Sequence, residues 1–298
     1  MLRRLRIAVV KRIVFLLALL GLALGLGGIP ASTARADQNS ATQADRDWLA
    51  AHPTIRLGIY IGGWPPFDIV DDNGRYRGIS ADYLELIESR TGLHVQPVIF
   101  PNWDAALTAF KRGTIDLLPS VAETPARTAF MAFSKPYITG SNLIFARRDE
   151  PGIKSRLDLT GKTIAIEQGY ALDGLLEQEI SGVTLLHVPD TDAALRAVSS
   201  GRADAYVGNI IVATYLIGRL NLSNLQPRGE SGFTTSSLHF AVRKDWPMLL
   251  QLVDRGIDSI TDRDRQQIND RWIPIPFAID WWAVADKYWP IPLAVVML

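Results

Sequence analysis

The chain contains no cysteine in its 298 residues, which excludes a disulfide framework, a zinc–thiolate site and a thiol nucleophile. Histidine is scarce. His52, His94, His187 and His239 stand apart, with no i, i+4 pair and no partner carboxylate at metal-ligand spacing. Neither a G-x-S-x-G elbow nor a P-loop occurs. Asp190 and Asp192 read as acids at a helix start rather than as metal ligands. These patterns predict no catalytic residue, no metal ligand and no cofactor. Neither sign of charge is in excess, with 31 Lys+Arg against 31 Asp+Glu.

What is present begins at the N-terminus. Arg3, Arg4, Arg6, Lys11 and Arg12 make a basic head before the apolar run Ile13–Leu26, and small residues lead on to Ala34-Arg35-Ala36. That order predicts a secretory signal over residues 1–36, cleaved after Ala36. An uncleaved membrane anchor is the other reading, because the run is near the lower edge of spanning length. Under both, the rest of the chain lies outside the cytoplasm, and the expected compartment is the periplasm. Residues 1–36 hold six Lys+Arg and no acid, so the remainder carries 25 basic residues against 31 acidic ones. Such a mildly acidic body lacks the basic stripe that nucleic-acid binding needs. Near the other end, Trp281, Trp282, Tyr288 and Trp289 resemble an interfacial aromatic belt, followed by a short apolar run. Residues 276–298 read either as the start of a transmembrane helix or as a segment docking its aromatics onto the domain.

Between residues 54 and 275, short strand-like runs alternate with amphipathic stretches. Ile55–Ile61, Val95–Phe100 and Ile115–Val121 read as strands. Helices lie between them, one capped by Ser80 and closing near Gly92, the next from Asn102 through Phe110. A second run repeats this order, with strands at Lys162–Ile166, Val183–Val188 and Asp204–Gly208 and helices at 170–180, 190–200 and 209–219. Ala106-Leu107-x-Ala109-x-x-x-Gly113-x-x-Asp116 recurs as Ala194-Leu195-x-Ala197-x-x-x-Gly201-x-x-Asp204. The repeat predicts two α/β lobes of one plan, with parallel-type sheets and helices on both faces. Asn142–Arg147 and Ser237–Arg243 are the expected crossover strands, and helices 245–258 and 262–272, capped by Asp245 and Asp262, return to the first lobe. The expected division is a lead-in over 37–53, lobe 1 over 54–141 and 238–275, and lobe 2 over 142–237.

Ligands of parallel α/β sheets sit beyond the carboxyl ends of the strands, and facing lobes make a cleft there. Tyr60 and the stiff Trp64-Pro65-Pro66-Phe67 loop follow the first strand, so Tyr60, Trp64 and Phe67 either wall a solute or plug the loop. Ser120 closes the third strand, just before Thr124-Pro125, a strong helix start with free N–H groups suited to an anion. Arg127 in that first turn either holds a carboxylate bidentately or pairs with a nearby acid. Gly169 and Tyr170 form a strand-to-helix turn in the second run, and Asn209 sits at another. Asn209 either addresses a polar ligand or caps its own helix.

Several pieces occur in order: Trp48-Leu49-x-x-His52-Pro53, Pro65-Pro66-Phe67, Asp72-x-Gly74-x-x-x-Gly78-x-x-x-Asp82, Thr124-Pro125-x-Arg127, Phe133-Ser134-Lys135-Pro136-Tyr137 and Gly201-x-x-Asp204-Ala205-Tyr206-Val207-Gly208-Asn209. Together they resemble the bacterial solute-binding protein family 3, the amino-acid type of Venus-flytrap domain. The Trp48–Pro53 opening is similar to periplasmic sensor modules of membrane histidine kinases. The resemblance implies a type II periplasmic-binding-protein-like fold that closes on a small-molecule ligand, an amino acid or small carboxylate. It implies a receptor rather than an enzyme, with a membrane or membrane-embedded signalling or transport partner. A sensing input is the expected role, a free component of an ABC importer the alternative, and an enzyme such as a lytic transglycosylase a third. The resemblance also implies that Arg127 holds the carboxylate, with help near Ser120 and Gly169. An Asp in the position of Asn209 usually pairs with an α-ammonium, so Asn here removes that counter-charge.

Overall fold

A computed structural model of the chain describes residues 41–233 and 236–273; the predicted signal and aromatic tail lie outside the described residues. The first sheet runs β4 (Val95–Phe100), β1 (Ile55–Tyr60), β5 (Leu117–Ala122), β13 (Ser236–Arg243) and β6 (Met131–Phe133), with β7 (Ile138–Gly140) also on β13. β1 is parallel to β4 and β5, whereas β13 is antiparallel to all its neighbours. A hairpin of β2 (Ile69–Val70) and β3 (Tyr76–Arg77) stands beside it. The second sheet runs β10 (Thr184–Val188), β9 (Thr163–Glu167), β11 (Ala205–Asn209), β8 (Asn142–Arg147) and β12 (Leu225–Glu230). β9 is parallel to β10 and β11, and β8 is antiparallel to β11 and β12. Each sheet therefore has a parallel three-stranded core, and the two expected crossover strands enter it antiparallel.

Side-chain alternation explains why helices cover both faces. In the first sheet Ile55, Leu57 and Ile59 of β1 and Leu238, Phe240 and Val242 of β13 share a core with α2 (Ile79–Thr91) and α8 (Pro247–Ser259). Leu118, Val121 and Ala241 point the other way, against Ala106 and Phe110 of α3 (Trp103–Lys111). In the second sheet Ile144, Ile164, Ile166, Ala205 and Val207 pack on Leu176 of α5 (Asp173–Glu179). Phe145, Ala165 and Tyr206 face α6 (Thr191–Ser199) and α7 (Ile210–Arg219) instead.

The sequence repeat has one physical job in both lobes. Asp116, fully buried, accepts from the Arg56 backbone N–H at 2.9 Å and from its guanidinium at 2.6 and 2.8 Å. Asp204 accepts from the Thr163 N–H at 2.8 Å. In each case the aspartate's own N–H donates back, at 2.8 Å, to the carbonyl of that residue. Gly113 and Gly201 both take left-handed φ, +68° and +78°, which ends the helix and turns the chain toward the aspartate. The last arginine of each antiparallel strand, Arg243 or Arg147, lies over the glycine.

Some caps differ from expectation. α2 starts at Gly78 without a side-chain cap, and Ser80 turns inward to Ser120 and Tyr137. α8 starts after Trp246 with Pro247 in its first turn, while Asp245 pairs with Arg243. Thr261, not Asp262, caps α9 (Asp262–Trp272), in a capping box with Asp264. Trp48 of α1 (Gln43–Ala51) stacks at 4.2 Å on His52, which caps the end of that helix, and both rings meet the edge of Trp246. Buried Asp45 pairs with Arg255 of α8 at 2.6 Å. These contacts dock the lead-in helix on the first lobe.

Asp116→Ala removes a buried charge-assisted cluster and is expected to cost about 2–4 kcal/mol, against about 1–2 kcal/mol for Asp204→Ala, whose carboxylate is only half-buried. Urea unfolding of both variants checks this; equal and small losses would show that the clamp carries little.

Candidate functional site

The carboxyl ends of β1, β5, β9 and β11 converge on a cavity of about 700 Å³ between the sheets. Tyr60, Trp64, Ser120 and Arg127 line it from the first lobe, and Tyr170 and Asn209 from the second. Two predicted residues do not line it. Phe67 is fully buried in the core, with Trp64 packed on it at 5.2 Å, so it plugs the loop and holds Trp64 in place. Gly169 acts only through its backbone: φ is +74°, and its carbonyl accepts from Arg127 Nη2 at 3.3 Å.

Arg127 bridges the lobes. Its N–H caps on Thr124 at the start of α4 (Pro125–Thr128), a single turn. The half-buried guanidinium donates to Ala122 O at 3.0 Å and lies 5.5 Å from the Trp103 ring centre. Among the described residues it pairs with no carboxylate, so the alternative of a structural ion pair is not what the fold builds. Burial without such a partner pulls its pKa down to about 10.

Ser120 reaches the cavity through a bulge. Pairing steps from Val121↔His239 to Leu118↔Ala241, so Pro119 and Ser120 together oppose Phe240. Ser120 takes φ +55°, a left-handed conformation that costs a non-glycine residue about 1 kcal/mol. Its N–H donates to the Tyr137 hydroxyl at 3.0 Å, and Ser80 bonds both hydroxyls at 2.8 Å. Across the cleft the hydroxyls of Tyr60 and Tyr170 meet at 2.6 Å, and burial raises the pKa of both. Asn209 does cap its own helix: Oδ1 accepts from Ile211 and Val212 N–H. That leaves Nδ2, which is buried and has no partner among the described residues, as do the Nε1 atoms of Trp64 and Trp103.

Four acids not singled out from the sequence line the cavity: Glu123 and Glu179 are exposed, the latter paired with Arg156 at 2.6 Å, whereas Asp68 and Glu167 are buried. Asp68, 5% exposed, accepts from the Tyr76 hydroxyl at 2.6 Å, with Ser80 and Ser120 beside it. Burial outweighs these hydroxyls and pushes its pKa up to about 6. Glu167, 1% exposed, accepts from the Thr191 and Tyr206 hydroxyls, and burial raises it as well. Glu167 ends β9, one residue past the predicted strand, so the strand-end rule would have named it had the strand been read longer. Asp68 directly follows the Pro65-Pro66-Phe67 loop, where nothing local marks it. Among the described residues no three acidic or histidine side chains group to hold a metal ion, and no helix is long and apolar enough to cross a membrane.

The family model for bacterial extracellular solute-binding proteins, family 3, matches residues 55–275. The chain belongs to that family. It is 28% identical over 254 residues to the virulence sensor protein BvgS of Bordetella bronchiseptica, a match that spans 82% of this chain and 20% of that protein. The chain thus covers about a fifth of the length of its sensor relatives. It is 26% identical to the L-cystine-binding protein TcyJ of Escherichia coli K12, across 74% of this chain and 82% of that one. The crystal structure of a histidine kinase sensor domain with similarity to periplasmic binding proteins matches with TM-score 0.68 and 26% identity, covering 74% of this chain and 96% of that one. The fold is a two-lobed Venus flytrap, and its relatives are named as sensors or binding proteins.

The state of Asp68 links this family-3 cleft to stability. Its folded pKa lies above its ordinary value, so the folded chain holds the proton more tightly than the unfolded one. That contribution is present below about pH 4 and is lost as pH rises through about 6, a change of at most about 3 kcal/mol. Asp68→Asn cannot titrate, so its stability relative to the unmodified chain should improve by about 2–3 kcal/mol from pH 4 to pH 7 in urea titrations. A difference that stays constant with pH would mean that Asp68 does not change protonation in this window.

Proposed function

We infer that the cleft binds a small solute through a carboxylate held by Arg127, and that the domain serves as the extracytoplasmic sensing input of a membrane signalling protein. The observation that carries the first part is a guanidinium at the lobe junction, desolvated and unpaired with any acid among the described residues. A carboxylate is its natural bidentate partner, and Ser120 and the Asn209 amide add donors on either side. A solute gripped by both lobes favours the closed arrangement by its differential affinity. The sensing role is supported by the likeness to BvgS and to a histidine kinase sensor domain. A second role, the substrate-binding component of an ABC amino-acid importer, is favoured by TcyJ, whose length the match nearly fills.

Thermal-shift measurements on the 298-residue chain with amino acids, small carboxylates and polyamines check the binding part. A solute at a hundredfold excess over its dissociation constant adds about 2.7 kcal/mol of stability. Arg127→Ala is expected to remove about 2–5 kcal/mol of binding to any carboxylate that shifts the unmodified chain. Unchanged affinity in the variant would move the carboxylate elsewhere.

A further inference from the structure

Charge around the cavity does not balance. Asp68 on the first lobe and Glu167 on the second are both almost wholly buried and both line it. Their partners are neutral hydroxyls: Tyr76 for Asp68, and Thr191 and Tyr206 for Glu167. Among the described residues no Lys, Arg or His forms an ion pair with either. Every such pair uses another acid. Hydroxyls solvate a carboxylate without cancelling its charge, and an uncompensated buried charge is costly. The two acids also act at one place. Burial chiefly holds the proton on Tyr60, against the hydrogen bond from Tyr170, and the fields of Asp68, Glu167 and Asp190 add to it, so both buried acids lie within electrostatic reach of the hydroxyl where the lobes meet.

Asn209 supplies an independent sign of what is missing. It is 2% exposed and lines the same cavity, its Oδ1 is spent on two helix N–H groups, and its Nδ2 has no acceptor among the described residues. Only a donor remains there, so an ammonium group is repelled at this residue and an oxygen is wanted. Arg127 wants the same. The acids want the opposite, and the rings of Tyr60, Trp64, Trp103 and Tyr170 around them add attraction for an organic cation.

We propose that this cleft selects a carboxylate-bearing solute of net positive charge, with its carboxylate on Arg127 and the Asn209 amide and its cationic nitrogens against Asp68 and Glu167. The carboxylate half rests on the reading of Arg127 given above. The cation seat on Asp68 and Glu167 stands on its own observations.

Lysine and three solutes that each lack one or more of its charged groups separate the parts: norleucine, hexanoate and cadaverine, all titrated calorimetrically into the 298-residue chain. Lysine is expected to bind at least about 30-fold more tightly than norleucine or hexanoate, because each of these lacks a charge that the acids await. Asp68→Asn and Glu167→Gln should each weaken lysine by about tenfold or more while leaving hexanoate within about threefold. The two variants lie on different lobes, so a folding failure in one leaves the other as the test. Norleucine or hexanoate binding as tightly as lysine overturns the cation seat, as does a chain that binds none of the four. Failure of the Arg127 reading looks different: cadaverine binds as tightly as lysine, and Arg127→Ala leaves lysine affinity unchanged.

Discussion

The rest of the structure hangs on an aspartate, fully buried in the first lobe and half-buried in the second, that ties the third strand of each lobe to the first. Asp116 and Asp204 exchange backbone and side-chain hydrogen bonds with Arg56 and Thr163 at the entry of β1 and β9. A parallel pair has no tight turn to set its register, so something else must do so. A carboxylate accepting a backbone N–H across the strands does it with charge-assisted strength. Once entries are registered, exits are too, and the exits are where Tyr60, Ser120, Glu167 and Asn209 stand. The clamp at one end of the sheet thus places the chemistry at the other.

That chemistry is assembled at some cost. Around the cavity, and among the described residues, three buried N–H groups lack acceptors, two buried acids pair with no cationic side chain, and Ser120 holds a left-handed backbone. Each unpaired donor costs about 1–3 kcal/mol, and the lobes offset this with the Tyr60–Tyr170 hydroxyl contact and the Arg127 bridge to Gly169. A protein selected for stability alone would fill such a cavity. Under the proposed reading, a cleft that closes on a solute would gain the full interaction of these groups only when the solute is bound.

Legibility in the sequence followed the range of the interactions. Strand and helix order, the repeat and the two crossover strands were readable, because side-chain period, glycine position and capping act over a few residues. Capping already shows the limit. Ser80 looked like an N-cap but is drawn inward by Ser120 and Tyr137, which lie 40 and 57 residues further along the chain. Trp64 and Phe67 looked alike on one stiff loop, yet one faces the cavity and the other fills the core. Asp68 had no mark at all, since what makes it unusual is burial by distant residues.

The sequence by itself therefore determined two repeated α/β units, an exit end of strands where a solute could sit, and an arginine and an asparagine poised there by helix starts. Tertiary structure alone decided which side chains share the cavity, that Asn209 spends its oxygen on its own helix, and that Asp68 and Glu167 stand in it with no ion-pair partner among the described residues. The reason is physical. Propensity and periodicity are properties of neighbouring residues, whereas desolvation and charge balance depend on everything brought within a few ångströms by the fold.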